Sequence, residues 1–339
     1  MDVVALLGWY RAHQRPLPWR LEVSAYRTLV SELMCQQTRV DTVLPYFAAF
    51  MKSFPTVEAL AAAPTERVLE RWSGLGYYRR ARNLQAAAQA VVANRGFPKN
   101  LEGLLALPGV GPYTAGAIGS IALGIDAPVV DGNVERVLSR LHAVESPVKA
   151  WLWETAARNL PKGEAGDYNQ ALMELGAMVC APRAPKCGVC PLRADCAGVG
   201  EPERYPAAKI KKAVPRSRAV AAWIVRDGRL LLARRPEAGL LGGLWELPGG
   251  TLAGADAASL SDVLLARVGA RIEALAELGV IAHTFSHLHL ETTVVAAHLL
   301  GEARPVDYPE VRWVPFAEVD GMALSSLARK TLALGRVHR

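Results

Sequence analysis

Long apolar runs are missing. No stretch of the 339 residues approaches the roughly 20 needed to cross a bilayer as a helix, so no membrane partner is expected. Cysteine is scarce as well: there are five, and outside one short segment only Cys35. A disulfide framework spread through the fold is excluded by that distribution, and clustered thiols point to metal instead. The opening MDVVALLGWYRAHQRPLPWR has a short apolar patch but no basic leader and no small-residue cleavage site, so no signal peptide is expected. Strand patterning is also absent from the first two thirds of the chain, where no convincing period-two run occurs before about residue 219.

What is there divides in two. Residues 24–140 read as helices with short connections, beginning at Ala25 behind the candidate N-cap Ser24, and further helices are expected at 147–160 and 168–179. EPERYPAAKIKKAVPRSR at 201–218 mixes proline with basic residues and no periodicity, a linker signature. Beyond it, AVAAWIVRDGRLLLARR reads as two strands around the hairpin dipeptide Asp227-Gly228. Strands at about 276–283, 290–300 and 311–314 and helices at about 257–268 and 323–335 complete an α/β module. The expected organisation is an all-α domain over 1–200, a linker over 201–218 and an α/β domain over 219–339. Net charge is +7, but 219–339 holds 12 basic and 13 acidic residues against 27 and 19 before it. The basic helical part suits a polyanionic partner such as nucleic acid.

Four short stretches carry chemistry. CAPRAPKCGVCPLRADC spaces Cys180, Cys187, Cys190 and Cys196 as C-x6-C-x2-C-x5-C, a compact loop able to surround a cubane cluster or a zinc ion. LPGVGPYTAG at 107–116 joins two helices through Gly109, Val110 and Gly111, whose backbone N–H groups suit a phosphate. Asp131 in VVDGNVERV stands where it can cap the helix beginning at Gly132 and also face a cleft. Glu32 in SELMCQQTRV lies on a largely apolar helical face. Alone it reads as a boundary carboxylate, but if buried it would stay protonated and suit a general acid.

Together with PLPWR (16–20), GLGYYRRARNL (74–84), NQALMELGAMVC (169–180) and HTFSHLHL (283–290), these stretches resemble the MutY-type adenine DNA glycosylases of the helix-hairpin-helix superfamily, related to endonuclease III. The resemblance spans both domains in order. It implies a glycosylase domain with a helical barrel over about 24–132 and an iron–sulfur subdomain of 1–23 plus 133–200, followed by a Nudix-like domain. It implies base excision repair: adenine opposite 8-oxoguanine or G in double-stranded DNA is everted and its glycosidic bond hydrolysed. Glu32 is then the acid toward adenine N7, Asp131 the stabiliser of the oxocarbenium-like sugar, and Asn133 a residue holding water and carboxylate. Tyr113 stands where bifunctional relatives carry a lysine, so a monofunctional enzyme is expected. Arg15, Trp19 and Glu174 match positions around the everted adenine, Gln36, Gln37 and Tyr77 the wedge in the vacated stack, and Phe285, Ser286 and His287 the loop on 8-oxoguanine. The four cysteines match the ligands of a [4Fe–4S] cluster, with Arg183, Lys186 and Arg193 toward phosphates. A cytoplasmic, nucleoid-associated monomer is implied.

The C-terminal part resembles the Nudix fold from GGLWELPGG (242–250) onward, yet TLAGADAASLSDVLLARVGA after it has no glutamate. Metal-dependent pyrophosphate hydrolysis is excluded on that ground. The main rival is an endonuclease III-like glycosylase and lyase on oxidised pyrimidines, against which Tyr113 and the extra domain argue.

Overall fold

The structure is a computed structural model, and it describes residues 1–208, 213–252 and 260–337. It divides into two compact units: Met1–Ala62 with Asn83–Ile210, and Ala63–Arg82 with Lys211–Arg339.

The first unit is helical. Ser24 does cap the helix Ala25–Cys35, its side chain accepting from Arg27 N at 3.1 Å. The buried face of that helix carries Tyr26, Leu29, Val30, Leu33 and Met34, and Glu32 is buried among them. The helix ends at Cys35, because Gln37 adopts a left-handed φ of +57°. The helices Leu101–Leu105 and Pro112–Ala117 flank the glycine turn, and a π-helical turn, Ile118–Ala122, continues the second. An unexpected N-terminal helix, Val3–His13, buries Leu6, Leu7 and Tyr10 in one core with Val134, Leu138, Leu152, Tyr168, Leu172 and Leu192. The chain's opening segment thereby joins the half of the unit that carries the cysteine loop. Much of the expected linker is not free chain. Arg204 pairs with Glu145 at 2.6 Å, and Ala207 N donates to Glu145 O at 2.7 Å.

The second unit contains two sheets. Its strands are β1 (Arg216–Trp223), β2 (Val225–Arg226), β3 (Arg229–Arg234), β4 (Trp245–Glu246), β5 (Gly249–Leu252), β6 (Arg271–Thr284), β7 (His289–Leu300) and β8 (Glu310–Pro315). One sheet has the order β5-β1-β7-β6, with β1 and β7 parallel, and the other joins β2, β3 and β4 with β8 against β3. β1 begins at Arg216 rather than 219 because Arg216, Ser217 and Arg218 pair with His289, Leu290 and Glu291. The helix expected over 257–268 is described from Leu260 to Val268, and 257–259 lie outside the described residues. Residues 63–82 group with these sheets although they stand between helical segments in sequence. Trp245 Nε1 donates to Glu66 Oε1 at 2.8 Å, and Ser73 Oγ and Tyr78 Oη donate to Leu324 O at 2.6 and 3.1 Å.

Candidate active site

The site is built in the helical unit. Gly109 has φ +72°, and a Cβ there would stand 2.4 Å from Asn83 Cβ, so the tight turn admits only glycine. That turn delivers Tyr113, the second residue of Pro112–Ala117, to Glu32: Tyr113 Oη donates to Glu32 Oε2 and lies 3.7 Å from Met173 Sδ. Val110 is less available than the motif suggested, because it is buried and its N–H donates to Leu107 O at 3.1 Å inside the turn. Pro112, the first residue of the helix Pro112–Ala117, supplies no N–H.

Asp131 caps its helix, as its position allowed. Its Oδ1 caps Gly132–Leu141, accepting from Asn133 N at 2.8 Å and Val134 N at 2.7 Å. Its Oδ2 accepts from Asn133 Nδ2 at 2.9 Å. Asn133 is held in turn by Arg136, whose Nη2 donates to Asn133 Oδ1 at 2.9 Å and to Gly176 O at 2.7 Å. Gly176 has no side chain where one would meet Asn133: a Cβ there would stand 2.6 Å from Asn133 Cβ.

Electrostatics separates the two carboxyls from ordinary surface groups. Glu32 is 8% exposed, and burial, opposed by the Tyr113 hydrogen bond and assisted by the Asp131 charge, pushes its pKa to about 7. Asp131 is also raised by burial, against the Val134 and Asn133 hydrogen bonds that favour its charged form. Burial raises Tyr113 well above the usual phenol, and the charges of Glu32 and Asp131 add to it. So Glu32, Asp131, Tyr113 and Asn133 are brought together. A proton is available at neutral pH on Glu32, beside a hydrogen-bonded carboxylate.

Arg15 and Glu174 also meet, but each other first. Glu174, 1% exposed, accepts from Arg15 N and Nε at 3.0 and 2.8 Å on Oε1, and from Arg15 Nη2 at 2.8 Å on Oε2. Arg20 Nη2 adds a fourth bond at 2.9 Å to Oε2. Burial would raise this carboxyl, yet the two guanidiniums hold it down at about 2. Both carboxylate oxygens accept from these two arginines. Trp19 is buried with its ring edge-on to Phe47, centroids 5.0 Å apart. Arg20 and Arg136 went unmarked in the sequence, although both lie inside quoted stretches. Arginine one turn beyond a capping Asp-Gly-Asn was the available signal.

Gln36 Nε2 donates to Thr114 Oγ1 at 3.4 Å, and Gln37 is exposed at the helix end. In the other unit Tyr77 is 45% exposed with φ +49°, its ring under the Arg80 guanidinium at 5.1 Å. Ser286 and His287 are exposed and Phe285 half-buried at the tip of the β6–β7 hairpin, closed by Phe285 N donating to Leu288 O at 2.7 Å.

The thiols of Cys180, Cys187, Cys190 and Cys196 act on one another. Burial raises Cys190, and the other three add to it. Cys180, Cys190 and Cys196 pack against the core shared with the N-terminal helix. Arg140 Nη1 lies 3.3 Å from Cys180 Sγ, and Arg136 Nε donates to Cys180 O at 2.7 Å. Arg183, Lys186 and Arg193 are exposed on this loop.

Residues 30–160 match the HhH-GPD superfamily of base excision DNA repair proteins, and residues 219–334 match the NUDIX domain. A thermostable thymine-DNA glycosylase of known structure is 30% identical, with a TM-score of 0.55 over 59% of this chain and 95% of its own. The adenine DNA glycosylase of Homo sapiens is 35% identical, over 96% of this chain and 72% of the human protein. That of Rattus norvegicus is also 35% identical, over 98% of this chain and 78% of the rat protein. At that identity over nearly its whole length, the chain belongs to the adenine DNA glycosylase family.

Proposed function

We propose that this chain is a monofunctional glycosylase that hydrolyses adenine from duplex DNA where adenine lies opposite 8-oxoguanine or G. One observation carries the reading: a buried carboxyl with a pKa near 7, Glu32, touches Tyr113 and lies within electrostatic reach of Asp131. Glu32 gives its proton to N7 of the everted base. The C1′–N9 bond breaks, its electron pair leaves with adenine, and positive charge develops on the sugar. Asp131, fixed by Asn133 and two backbone N–H groups, stabilises that charge without moving. A water molecule adds its oxygen to C1′ and yields its proton to the Glu32 carboxylate, leaving free adenine and an abasic site. Tyr113 cannot form a Schiff base with C1′, which supports hydrolysis without strand cleavage.

The wedge and lesion roles rest on exposure: Gln37, Tyr77, Ser286 and His287 are the side chains of those motifs that face solvent. The four cysteines fit a [4Fe–4S] cluster. Their thiols influence one another, yet among the described residues no group of three His, Cys, Asp or Glu closes on one metal ion. Four thiols on one short loop are the donor set of such a cluster, and zinc takes the same four. When bound, the cluster supplies a cross-link for the loop. Arg183, Lys186 and Arg193 are then presented to phosphates. A cytoplasmic, nucleoid-associated place of action belongs to the same proposal, since thiols clustered for metal suit a reducing compartment.

The test is a duplex with one 8-oxoguanine:A pair. Scission of the adenine strand only after alkali is expected. Scission without alkali, trapped by borohydride, favours the lyase instead. Iron content and visible absorbance of the purified protein distinguish the cluster from zinc.

A further inference from the structure

Arg140 is buried against the cysteine loop and takes part in no step of the adenine chemistry. It lies one turn beyond Arg136 on the helix Gly132–Leu141 and is 3% exposed. A guanidinium removed from water has to find acceptors for its N–H groups, and here the loop supplies them. Nη1 donates to Ala181 O at 2.7 Å and reaches Cys180 O and Cys180 Sγ, each at 3.3 Å. Nη2 donates to Pro182 O and Nε to Tyr205 O, both at 3.0 Å. The backbone of the same residue holds the far end of the loop. Arg140 O accepts from Gly198 N at 2.9 Å and lies 3.5 Å from Cys196 Sγ. A Cβ at Gly198 would stand 2.5 Å from Arg140 O, so this close approach requires glycine.

Arg140 therefore meets the sulfurs of the first and the last of the four cysteines, and the two contacts differ in kind. At Cys196 a neutral carbonyl faces the sulfur. At Cys180 a permanent positive charge donates to it, in a place closed to water. The other cations of the loop, Arg183, Lys186 and Arg193, are exposed, so solvent and salt screen them. Charge, hydrogen bonds to sulfur and solvent exposure fix the reduction potential of an iron–sulfur cluster. Of these, the buried charge and the bond to sulfur are combined in one side chain. A cation held against a ligand sulfur favours the state that carries the additional electron.

Given the iron–sulfur reading of the four cysteines, on which this rests, we propose that Arg140 sets the potential of the cluster they bind and holds it in its reduced form against one-electron oxidants. In that oxidation one electron passes from the cluster to an acceptor of the ferricyanide class, which becomes ferrocyanide. No proton moves and no bond to the protein breaks. Arg140 does not carry the electron. It shifts the equilibrium through its charge and through the hydrogen bond to Cys180 Sγ.

The test uses the purified, loaded full chain. Iron and sulfide are measured first. The oxidised fraction is then read from the electron paramagnetic resonance of the odd-electron cluster, in buffers poised with ferricyanide and ferrocyanide. Arg140→Gln removes the charge, and at a fixed potential its ratio of oxidised to reduced cluster should rise about tenfold or more, which is about 59 mV for one electron. Arg140→Lys keeps a charge, but a compact ammonium cannot serve the loop carbonyls and the sulfur together, so a rise of about threefold or more is expected. Lys186→Gln takes the same charge from the exposed side of the loop and should stay within about twofold of the parent. A purely structural role for Arg140 would cost iron and leave the ratio of the remaining cluster unchanged, and that result overturns the proposal. So does a Lys186→Gln shift as large as that of Arg140→Gln. If Arg140→Gln holds no iron, Arg140→Lys decides by the same ratio. Zinc without iron in the parent overturns the cluster reading and the proposal together, whereas a loaded parent whose variants keep its ratio overturns the proposal alone.

Discussion

Tyr113 Oη donates a hydrogen bond to Glu32 Oε2, joining the glycine turn to the helix of the buried acid across 81 residues of sequence. That bond stabilises the ionised carboxylate and therefore lowers the Glu32 pKa, while burial and Asp131 raise it to about 7. If the acid form starts the reaction, single-turnover adenine release declines as pH rises through about 7. Tyr113→Phe removes the lowering bond, so the decline moves to higher pH. A pH–rate profile that is flat between pH 6 and pH 8, or one unmoved by the substitution, contradicts the assignment of Glu32.

Stability follows the same group with a definite sign. The folded pKa of Glu32 is raised from 4.5 to about 7, so its contribution is fully present below pH 4.5 and is lost as pH rises through 7, on the order of 3 kcal/mol. Glu32→Gln cannot ionise and can still accept from Tyr113. Its melting temperature should exceed the parent's at pH 8, by about 2–4 °C for each kcal/mol, and match it at pH 4. Adenine release should fall at least a hundredfold with duplex binding retained.

Local rules were legible in the sequence and long-range partners were not. Ser24, Asp131 and Gly109 announce themselves through capping and turn chemistry, which depend on a few neighbouring residues. Glu32 alone read as a boundary carboxylate, because its burial is decided by the turn at Gly109 and by Asp131, about a hundred residues away. The cap at Asp131 predicted the first turn of its helix, but nothing local showed that Arg136 would bridge Asn133 to Gly176 O and Cys180 O. Glu174 looked like a pocket side chain, and its engagement by Arg15 and Arg20 crosses more than 150 residues. The strand start at Arg216 was hidden for a similar reason. Its residues have linker composition and are held by pairing with β7.

The Arg15–Glu174–Arg20 cluster sets a buried carboxylate between two partly exposed guanidiniums, and its removal should be costly. Glu174→Gln leaves the two guanidiniums without their charge partner, destabilising the protein by about 1–3 kcal/mol at pH 7, because Arg15 keeps part of its hydration. The carboxyl is held near 2, below its ordinary 4.5. Its contribution is therefore present above pH 4.5 and lost as pH falls through 2. Urea unfolding at pH 7 and at pH 2.5 should show the gap between parent and variant shrinking in acid. An equal gap at both values removes the charge pairing as its cause.

Arg136 stands between the cysteine loop and Asn133, which holds the Asp131 carboxylate. Its guanidinium reaches Asn133 Oδ1, Gly176 O and Cys180 O at once, a fork that a single ammonium cannot reproduce. Arg136→Lys should preserve net charge and metal content yet loosen Asn133, and through it Asp131. The expected result is a tenfold or greater fall in single-turnover rate, with duplex affinity within about twofold of the parent. Loss of iron in parallel with activity would instead make Arg136 a support of the loop alone.

Tyr77 presents an exposed ring on a backbone with φ +49°, a conformation that non-glycine residues adopt only where surrounding structure enforces it. Arg80 lies over one face of the ring, and Tyr78, the next residue, is anchored by its hydroxyl to Leu324 O. The pair thus divides labour: Tyr78 holds the turn, and Tyr77 is left facing solvent. A ring inserted into a duplex stacks on a base, worth about 1–3 kcal/mol in single-strand platforms. Tyr77→Ala should weaken binding to an 8-oxoguanine:A duplex roughly five- to a hundredfold at fixed salt and change thermal stability by less than about 0.5 kcal/mol. Tyr77→Phe, which keeps the ring and deletes only the hydroxyl, should bind like the parent. Fluorescence anisotropy with a labelled duplex reads all three. If Tyr77→Phe loses as much affinity as Tyr77→Ala, the hydroxyl rather than the ring carries the contact, and the wedge role passes to Gln37.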